Sequence, residues 1–428
     1  MQRNRFLGDL LSHLFDRHNP ERSKDDTRDI YNLCRALMSA EGEVSGYRLA
    51  TTVLARYSAL TDDEKLAFFQ FLNSEMEFDA ARLAELAADY AFAPTDSLYQ
   101  ELTQTAEPRR QELLRRLNQP MGATANIVAM RVDLLRLSRD HPDLKRTDSD
   151  MVHLLRSWFN RGFLVLKQIS WDTPARILDK IVAYEAVHQI NDWDDLRRRL
   201  YPPDRRCFAF FHPSMPDEPL IFVEVALTTD VPGSVDLLLS EGRTPISAED
   251  ARVAVFYSIS NCQKGLTGIS FGNLLIKQVV AELSLEIAGL EKFVTLSPIP
   301  GLTTWLRAQG DDQTARAILD GHAPPEDLCA KAASYLLEAE RADGQPLDPV
   351  ARFHLGNGAE VHALHANADS SANGQAQSAG AMVNYLYDLS DTEQNHESFA
   401  LHGKIAASRT VRALASAATP TKPKEPVT

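Results

Sequence analysis

The chain is predicted to be an α+β protein. An all-helical N-terminal domain precedes a second domain built on a mixed central sheet flanked by helices. Up to about residue 167 glycine is sparse and apolar residues recur at a spacing of about 3.6. Beyond Trp171 short strand-like runs alternate with turn signals and helices. The stretch "VAVFYSISNCQKGLTGISFGNLLIKQVV", followed by "KFVTLSP", reads as strand, Gly-rich turn, helix and strand. Such a unit is a right-handed crossover that makes its two strands parallel neighbours. The expected division is a helical domain over 1–167, a second domain over 168–415 and a disordered tail over 416–428.

In the first domain, Thr61-Asp-Asp-Glu64 is a capping box before Leu66, Phe68, Phe69 and Leu72. "ARLAELAADYAF", "RRQELLRRLNQ" and "ANIVAMRVDLLRLSR" continue the helical period, and "SDMVHLLRSWFNRGFLVLKQI" closes the block. No cluster of acids, bases or ligands stands out, so packing or self-association is the expected role.

In the second domain, Thr173-Pro174 reads as an N-cap followed by a proline in the first helical position, starting "ARILDKIVAYEAV". After the helix "DWDDLRRRL", "CFAFFH" and "LIFVEVALT" flank the polar turn "PSMPDEP" and suggest a hairpin. "SVDLLLS" is expected to be a further strand, and helices fill much of 302–341. "ARFHLGNGAEVHALHA" reads as two strands about an Asn357-Gly358 turn, the strongest short hairpin signal.

Composition narrows the function classes. The 428 residues are 44% hydrophobic and 24% charged, ordinary for globular domains, and no apolar run approaches the ~20 residues that span a bilayer. Net charge is −14, so a nucleic-acid partner is not expected, and any polyanion site must be local. Cys34, Cys207, Cys262 and Cys329 show no metal spacing and read as reduced thiols. Asp9 and Asp16 argue against a transit peptide in the arginine-bearing N-terminus. A cytoplasmic protein with no membrane association is expected.

Two stretches carry chemistry. Gly265, Gly268 and Gly272 lie between a strand and a helix N-terminus, an arrangement suited to a pyrophosphate, although neither a Walker loop nor a dinucleotide fingerprint is present. "FVTLSPIPG" holds Ser297 at a stiff strand exit, because each following proline restricts its own φ and the residue before it. Serine before proline is ordinary turn chemistry. The crossover, however, puts Ser297 at the C-terminal end of a strand beside the glycine turn, where ligand crevices form. His354 is read as a strand histidine. His362 and His365 fall on opposite strand faces and make a poor metal pair. Tyr385 and Tyr387 share one strand face, with core packing as their default role. The run Arg197, Arg198, Arg199, Arg205, Arg206 is expected to be a solvated helix end, with contact to a ligand phosphate as the alternative.

Taken together, "EPLIFVEVALT", "VAVFYSISNCQKGLTGISFGNLLIKQVV", "LSPIPG", "DPVARFHLGNG" and "MVNYLYDL" resemble the malonyl-CoA decarboxylase family, in the family's order and over most of 168–390. The helical half resembles it more loosely. The resemblance implies a helical oligomerisation domain, a catalytic domain of N-acetyltransferase-like fold and a homotetramer. It places the catalytic serine on Ser297, the catalytic histidine on His354 and the active-site tyrosine on Tyr387. It places the substrate loop on Thr267, Gly268, Ile269, Ser270, Phe271, Gly272 and Asn273. The family's Gly-x-Glu-x-Gly loop is here Gly268-Ile-Ser270-Phe-Gly272, so the role of that glutamate does not carry over.

The implied reaction converts malonyl-CoA to acetyl-CoA and CO₂. It requires no metal or organic cofactor, since the thioester is itself the electron sink. Ser297 and His354 are expected to form a hydrogen-bonded pair, with His354 supplying the proton and Tyr387 available to the oxyanion. Three alternatives remain: an acyl-CoA-dependent N-acetyltransferase, a thioesterase using Ser297, and a non-catalytic acyl-CoA sensor. Ser297 lacks the Gly-x-Ser-x-Gly elbow of the hydrolases.

Overall fold

The computed structural model describes residues 26–39, 42–269 and 271–418. Two compact units are present. One takes the chain up to Phe163 with Pro213–Met215 and Gln263–Ile269, and the other takes the remainder.

The first unit is helical: α1 (Ile30–Ser39), α2 (Glu43–Ser58), α3 (Asp62–Ser74), α4 (Ala80–Phe92), α5 (Asp96–Ala106), α6 (Arg109–Leu117), α7 (Ala123–Leu137) and α8 (Lys145–Trp158). The capping box that opens α3 is formed. Thr61 Oγ1 accepts from Glu64 N, and Glu64 Oε2 accepts from Thr61 N at 2.8 Å. Leu33, Leu37, Val53, Phe68, Phe69, Leu113 and Leu134 are fully enclosed in one apolar core. In contrast, α5 buries no residue. The helical block ends earlier than its apolar period suggested. α8 stops at Trp158, and Val165–Ile169 is strand β1 of the second unit. Its residues pair with Phe211 to Cys207, a partnership between distant segments that local periodicity cannot register.

The second unit contains β1, α9 (Ala175–Tyr184), α10 (Trp193–Leu200), β2 (Arg205–His212), β3 (Met215–Thr228), α11 (Val235–Leu239), β4 (Val253–Asn261), α12 (Gly272–Glu286), β5 (Lys292–Thr295) and β6 (Ser297–Pro298). There follow α13 (Leu302–Ala308), α14 (Gln313–Leu319), α15 (Pro325–Glu338), α16 (Pro349–Leu355), β7 (Glu360–His365), α17 (Ala372–Ser378), β8 (Met382–Tyr387), α18 (Thr392–His402) and α19 (Arg409–Ala418). The eight strands form one mixed sheet of order β1-β2-β3-β4-β5-β8-β6, with β7 also on β8. β4 and β5 are parallel, Val253 opposite Lys292 and Phe256 opposite Thr295, as the crossover reading requires. This parallel pair lies within a mixed sheet flanked by helices, as expected. Ile177, Ile181 and Leu196 of α9 and α10 pack on Ala209, Phe211 and Phe222. Val253, Val255, Tyr257, Val294 and Leu296 form a second core with Val235 and Met382.

Four local expectations are corrected. "VDLLL" is helix α11, not strand, and a short apolar run cannot separate the two by pattern alone. Pro174 is itself the N-cap of α9, while Thr173 Oγ1 accepts from Ser170 N at 3.0 Å. The Asn357-Gly358 turn joins helix α16 to strand β7 and is no hairpin. The arginine run is solvated only in part: Arg197 is exposed, but Arg199 and Arg205 are each 3% exposed. Helix α19 also runs through 416–418, into the expected tail. Residues 419–428 and the N-terminal amphipathic stretch lie outside the described residues.

Candidate active site

Ser297 and the strand residues Phe293, Val294 and Thr295 before it are buried. β5 and β6 share one register against β8, with Phe293 opposite Tyr387 and Ser297 opposite Val383. Ser297 is 6% exposed, and its Oγ donates to Thr295 Oγ1 at 2.8 Å. Thr295 Oγ1 also accepts from Tyr385 N at 3.3 Å.

His354 arrives on helix α16. Asp348 caps that helix, its Oδ1 accepting from Val350 N at 2.9 Å and Ala351 N at 2.8 Å, and Pro349 occupies the first turn. Gly358 turns the chain out of the helix with φ of +84°, where a Cβ would stand 2.0 Å from the Thr392 carbonyl oxygen. Only glycine fits there.

His354 Nε2 lies 3.3 Å from Ser297 Oγ, and Nδ1 lies 2.8 Å from the Tyr387 hydroxyl. The ring stacks on Tyr385 at 4.5 Å. The hydroxyl hydrogen of Ser297 points to Thr295, so the serine oxygen accepts from Nε2–H. Nδ1 is then bare and accepts from Tyr387 O–H. The result is a directed chain, Tyr387 to His354 to Ser297 to Thr295. Burial pushes the His354 pKa down to about 3, which keeps the imidazole neutral. Burial also pushes the Tyr387 hydroxyl well above its usual range, so it remains a donor.

Tyr387 also lines a cleft of about 580 Å³ whose walls include Ile276, Lys277 and Val280 of α12 and Thr392, Glu393 and His396 of α18. That volume falls in the range of small-molecule sites, roughly 300–1,000 Å³.

The glycine turn is built differently from the sequence expectation. Gly265 is required by the protein itself, since a Cβ there would lie 2.0 Å from the Val128 carbonyl oxygen. Gly268 has φ of +83° and open space around it. Buried Arg131 donates to the carbonyls of Gly265 at 2.7 Å and Thr267 at 2.8 Å, and its Nε donates to Asp148 at 2.8 Å. Thr267 Oγ1 donates to the Lys264 carbonyl at 2.7 Å, which closes the turn. Among the described residues no group of His, Cys, Asp and Glu is arranged to hold a metal ion.

The profile of the malonyl-CoA decarboxylase C-terminal domain matches residues 162–324 and 320–425, and that of the N-terminal domain matches 77–159. The chain belongs to the malonyl-CoA decarboxylase family. It is similar to the mitochondrial malonyl-CoA decarboxylase of Anser anser anser, 34% identical over 394 residues that cover 79% of this chain and 77% of that protein. The mitochondrial enzyme of Rattus norvegicus is 34% identical over 354 residues, 72% of this chain and 71% of that protein. Among solved structures, malonyl-CoA decarboxylase from Rhodopseudomonas palustris is 50% identical with a TM-score of 0.84, covering 90% of this chain and 98% of that one. The Agrobacterium vitis protein is 47% identical with a TM-score of 0.86, covering 90% and 99%. As a member of this family the chain is a decarboxylase, a carboxy-lyase.

Of the positions singled out by resemblance to the malonyl-CoA decarboxylases, the fold brings Ser297, His354 and Tyr387 into one hydrogen-bonded chain. Tyr387 directs its hydroxyl at His354. Thr267, Gly268 and Ile269 lie in the turn that groups with the helical unit, whereas Phe271, Gly272 and Asn273 lead into α12 of the other unit. Ser270 lies outside the described residues. Thr295 and Asp348 escaped sequence reasoning, and Tyr385, expected only to pack in the core, proves to stack on the His354 ring. Period-two spacing from Ser297 flags Thr295. Asp-Pro, a common start to a helix, flags Asp348. His362 instead faces Glu360 at 3.1 Å, and His365 faces Asn384 at 2.5 Å.

Proposed function

We propose that the chain converts malonyl-CoA to acetyl-CoA and CO₂, with Ser297 and His354 as the catalytic pair and no resident cofactor. The observation that carries the reading is the buried chain from Tyr387 through His354 to Ser297, with Tyr387 in the wall of a cleft of ligand size.

Breaking the bond between the carboxylate and the α-carbon leaves its electron pair in a thioester enolate. Stabilising the charge that grows on the thioester oxygen lowers the barrier. The turn over Thr267 to Asn273 is assigned to the CoA pyrophosphate. The enolate carbon is basic enough to take a proton from a neutral donor. His354 supplies the Nε2 proton as Tyr387 passes its own to Nδ1; the Nδ1 proton then returns to Tyr387 as a solvent proton reaches Nε2, which restores the starting tautomer. The imidazole thereby stays neutral, as its burial demands. Ser297 orients His354 and holds the departing carboxylate. The overall step consumes one solvent proton and releases CO₂.

Carboxyl-labelled malonyl-CoA tests this directly. Labelled CO₂ with acetyl-CoA supports the reading. Free CoA means thioester hydrolysis, acetylated amine means acetyl transfer, and unchanged substrate leaves binding alone.

A homotetramer is part of the same reading. Phe92 is 93% exposed and Tyr99 is 57% exposed at α4 and α5, which supports self-association through this face. Four free cysteines support a reducing compartment, the cytoplasm. Among the described residues no helix is long and apolar enough to cross a membrane.

A further inference from the structure

Arginines in the last turn of α10 and beyond it line a second cavity, which the decarboxylation does not use. Arg198 and Arg199 end α10, Arg205 opens β2, and Arg243 comes from the segment after α11. With Asp195 and Glu241 they line a cavity of about 90 Å³. Leu227 N donates to the Asp204 carbonyl, and the neighbouring Thr228 pairs with Val253. The cavity therefore lies at the start of β4, opposite the Asn261 end from which the glycine turn departs. Glu241, exposed at the rim, marks its opening to solvent.

Three of these arginines have carboxylate partners. Arg199 pairs with Asp195 at 3.3 Å and Glu224 at 3.2 Å. Arg243 grips Asp204 with two bonds, of 2.6 and 3.0 Å. Arg198 meets Glu241 at 3.1 Å, but its Nε is buried without a partner. Arg205 is the exception. It is 3% exposed, its bonds go to the carbonyls of Asp204 at 3.1 Å and Leu238 at 2.6 Å, and its nearest carboxylate oxygen is 3.9 Å away on the Asp204 that Arg243 already holds. Burial pulls the Arg205 pKa below the ordinary arginine value. At Arg199 burial is outweighed by Glu224 and Asp195, and the pKa stands above it. A buried cation without a dedicated counter-charge is costly. Here it lines a cavity beside Arg198, whose side chain also lines it.

We infer that this cavity is a binding site for a tetrahedral oxyanion of the phosphate type. The volume holds about three waters at roughly 30 Å³ each, room for one phosphate group and not for a nucleotide. An arginine fork matches phosphate oxygens in pairs. A phosphomonoester enters with its phosphate and leaves the rest of the molecule at the rim.

The test is calorimetric titration of the full chain with inorganic phosphate, with ionic strength fixed by sodium chloride and saturating CoA filling the coenzyme site. One saturable site per chain and a raised melting temperature are expected. A parallel titration with phenyl phosphate separates the sources: equal or tighter binding marks a phosphomonoester site, and binding of inorganic phosphate alone marks a closed one. Arg198→Gln, at a part-exposed position, should weaken phosphate at least tenfold while turnover in phosphate-free buffer is unchanged. Arg243→Gln should also weaken it, because Asp204 is released to neutralise Arg205. Heat no greater than in the chloride control, loss of binding when CoA is present, or wild-type affinity in both variants would overturn the proposal.

Discussion

His354 Nε2 stands 3.3 Å from Ser297 Oγ across 57 positions of sequence, and both groups are buried. One arrives on a strand exit stiffened by proline, the other on a helix capped by an aspartate. Ser297→Ala and His354→Ala should each lower kcat by roughly 10²–10⁴, the range for positioned acid–base groups. KM should move less, since the CoA body is held elsewhere. Steady-state release of labelled CO₂ measures both constants, and near-normal turnover in either variant would remove the pair.

Tyr387→Phe keeps the ring in the cleft wall and deletes the donor to Nδ1. The buried nitrogen is then unsatisfied, at a cost of about 1–3 kcal/mol in folding stability. Turnover should fall, and the variant should show a changed solvent isotope effect because the relay loses its outer proton. Wild-type kcat together with wild-type melting would mean that the Tyr387 bond to His354 does nothing.

Acid should weaken the fold through two buried histidines. Burial holds His354 at about 3 and His188 at about 4, whereas an unfolded histidine titrates near 6.5. Between those values the unfolded chain binds protons that the native chain refuses. Unfolding free energy therefore falls as pH drops below about 6.5, by up to about 1.4 kcal/mol per pH unit for each histidine. Denaturant titrations from pH 7.5 to 4.5 should show a shallower slope in His354→Gln and in His188→Gln. Identical slopes in all three proteins would contradict the burial argument.

Gly268→Val places a branched side chain where φ is +83°. The strain distorts the turn assigned to the pyrophosphate, so affinity for malonyl-CoA and for plain CoA should fall together. If only kcat fell while the CoA dissociation constant held, the turn would not be the coenzyme cradle.

Assembly through α4 and α5 makes a concentration-dependent prediction. Dilution of the intact chain should lower its melting temperature, because association binds the folded state alone. Phe92→Glu with Tyr99→Glu should shift sedimentation toward smaller species and lower activity, with no chemical group lost from the site. A wild-type chain that sediments as a monomer at all concentrations would end the assembly proposal.

Several features were determined by sequence alone because they depend on local chemistry. The Thr61–Glu64 box closes within one helical turn, and the two prolines after Ser297 act on their own neighbours. One helix between two short strands permits little but a parallel crossover, so the pairing of β4 with β5 was also legible. Tertiary structure decided the rest, through partners remote in the chain. Asn357-Gly358 turns a helix into a strand because Gly358 must clear the carbonyl of Thr392, and Asp348 makes that helix, not a strand, the carrier of His354. Gly265 is needed for the Val128 carbonyl, a contact no motif records. Arg199 and Arg205 look like solvated charges until Glu224, Asp204 and the Leu238 carbonyl surround them. Tyr387 looks like core until its hydroxyl meets a histidine 33 positions away. Backbone preference acts over a few residues and can be read from them; burial and hydrogen bonding of side chains depend on which distant segments the sheet brings together.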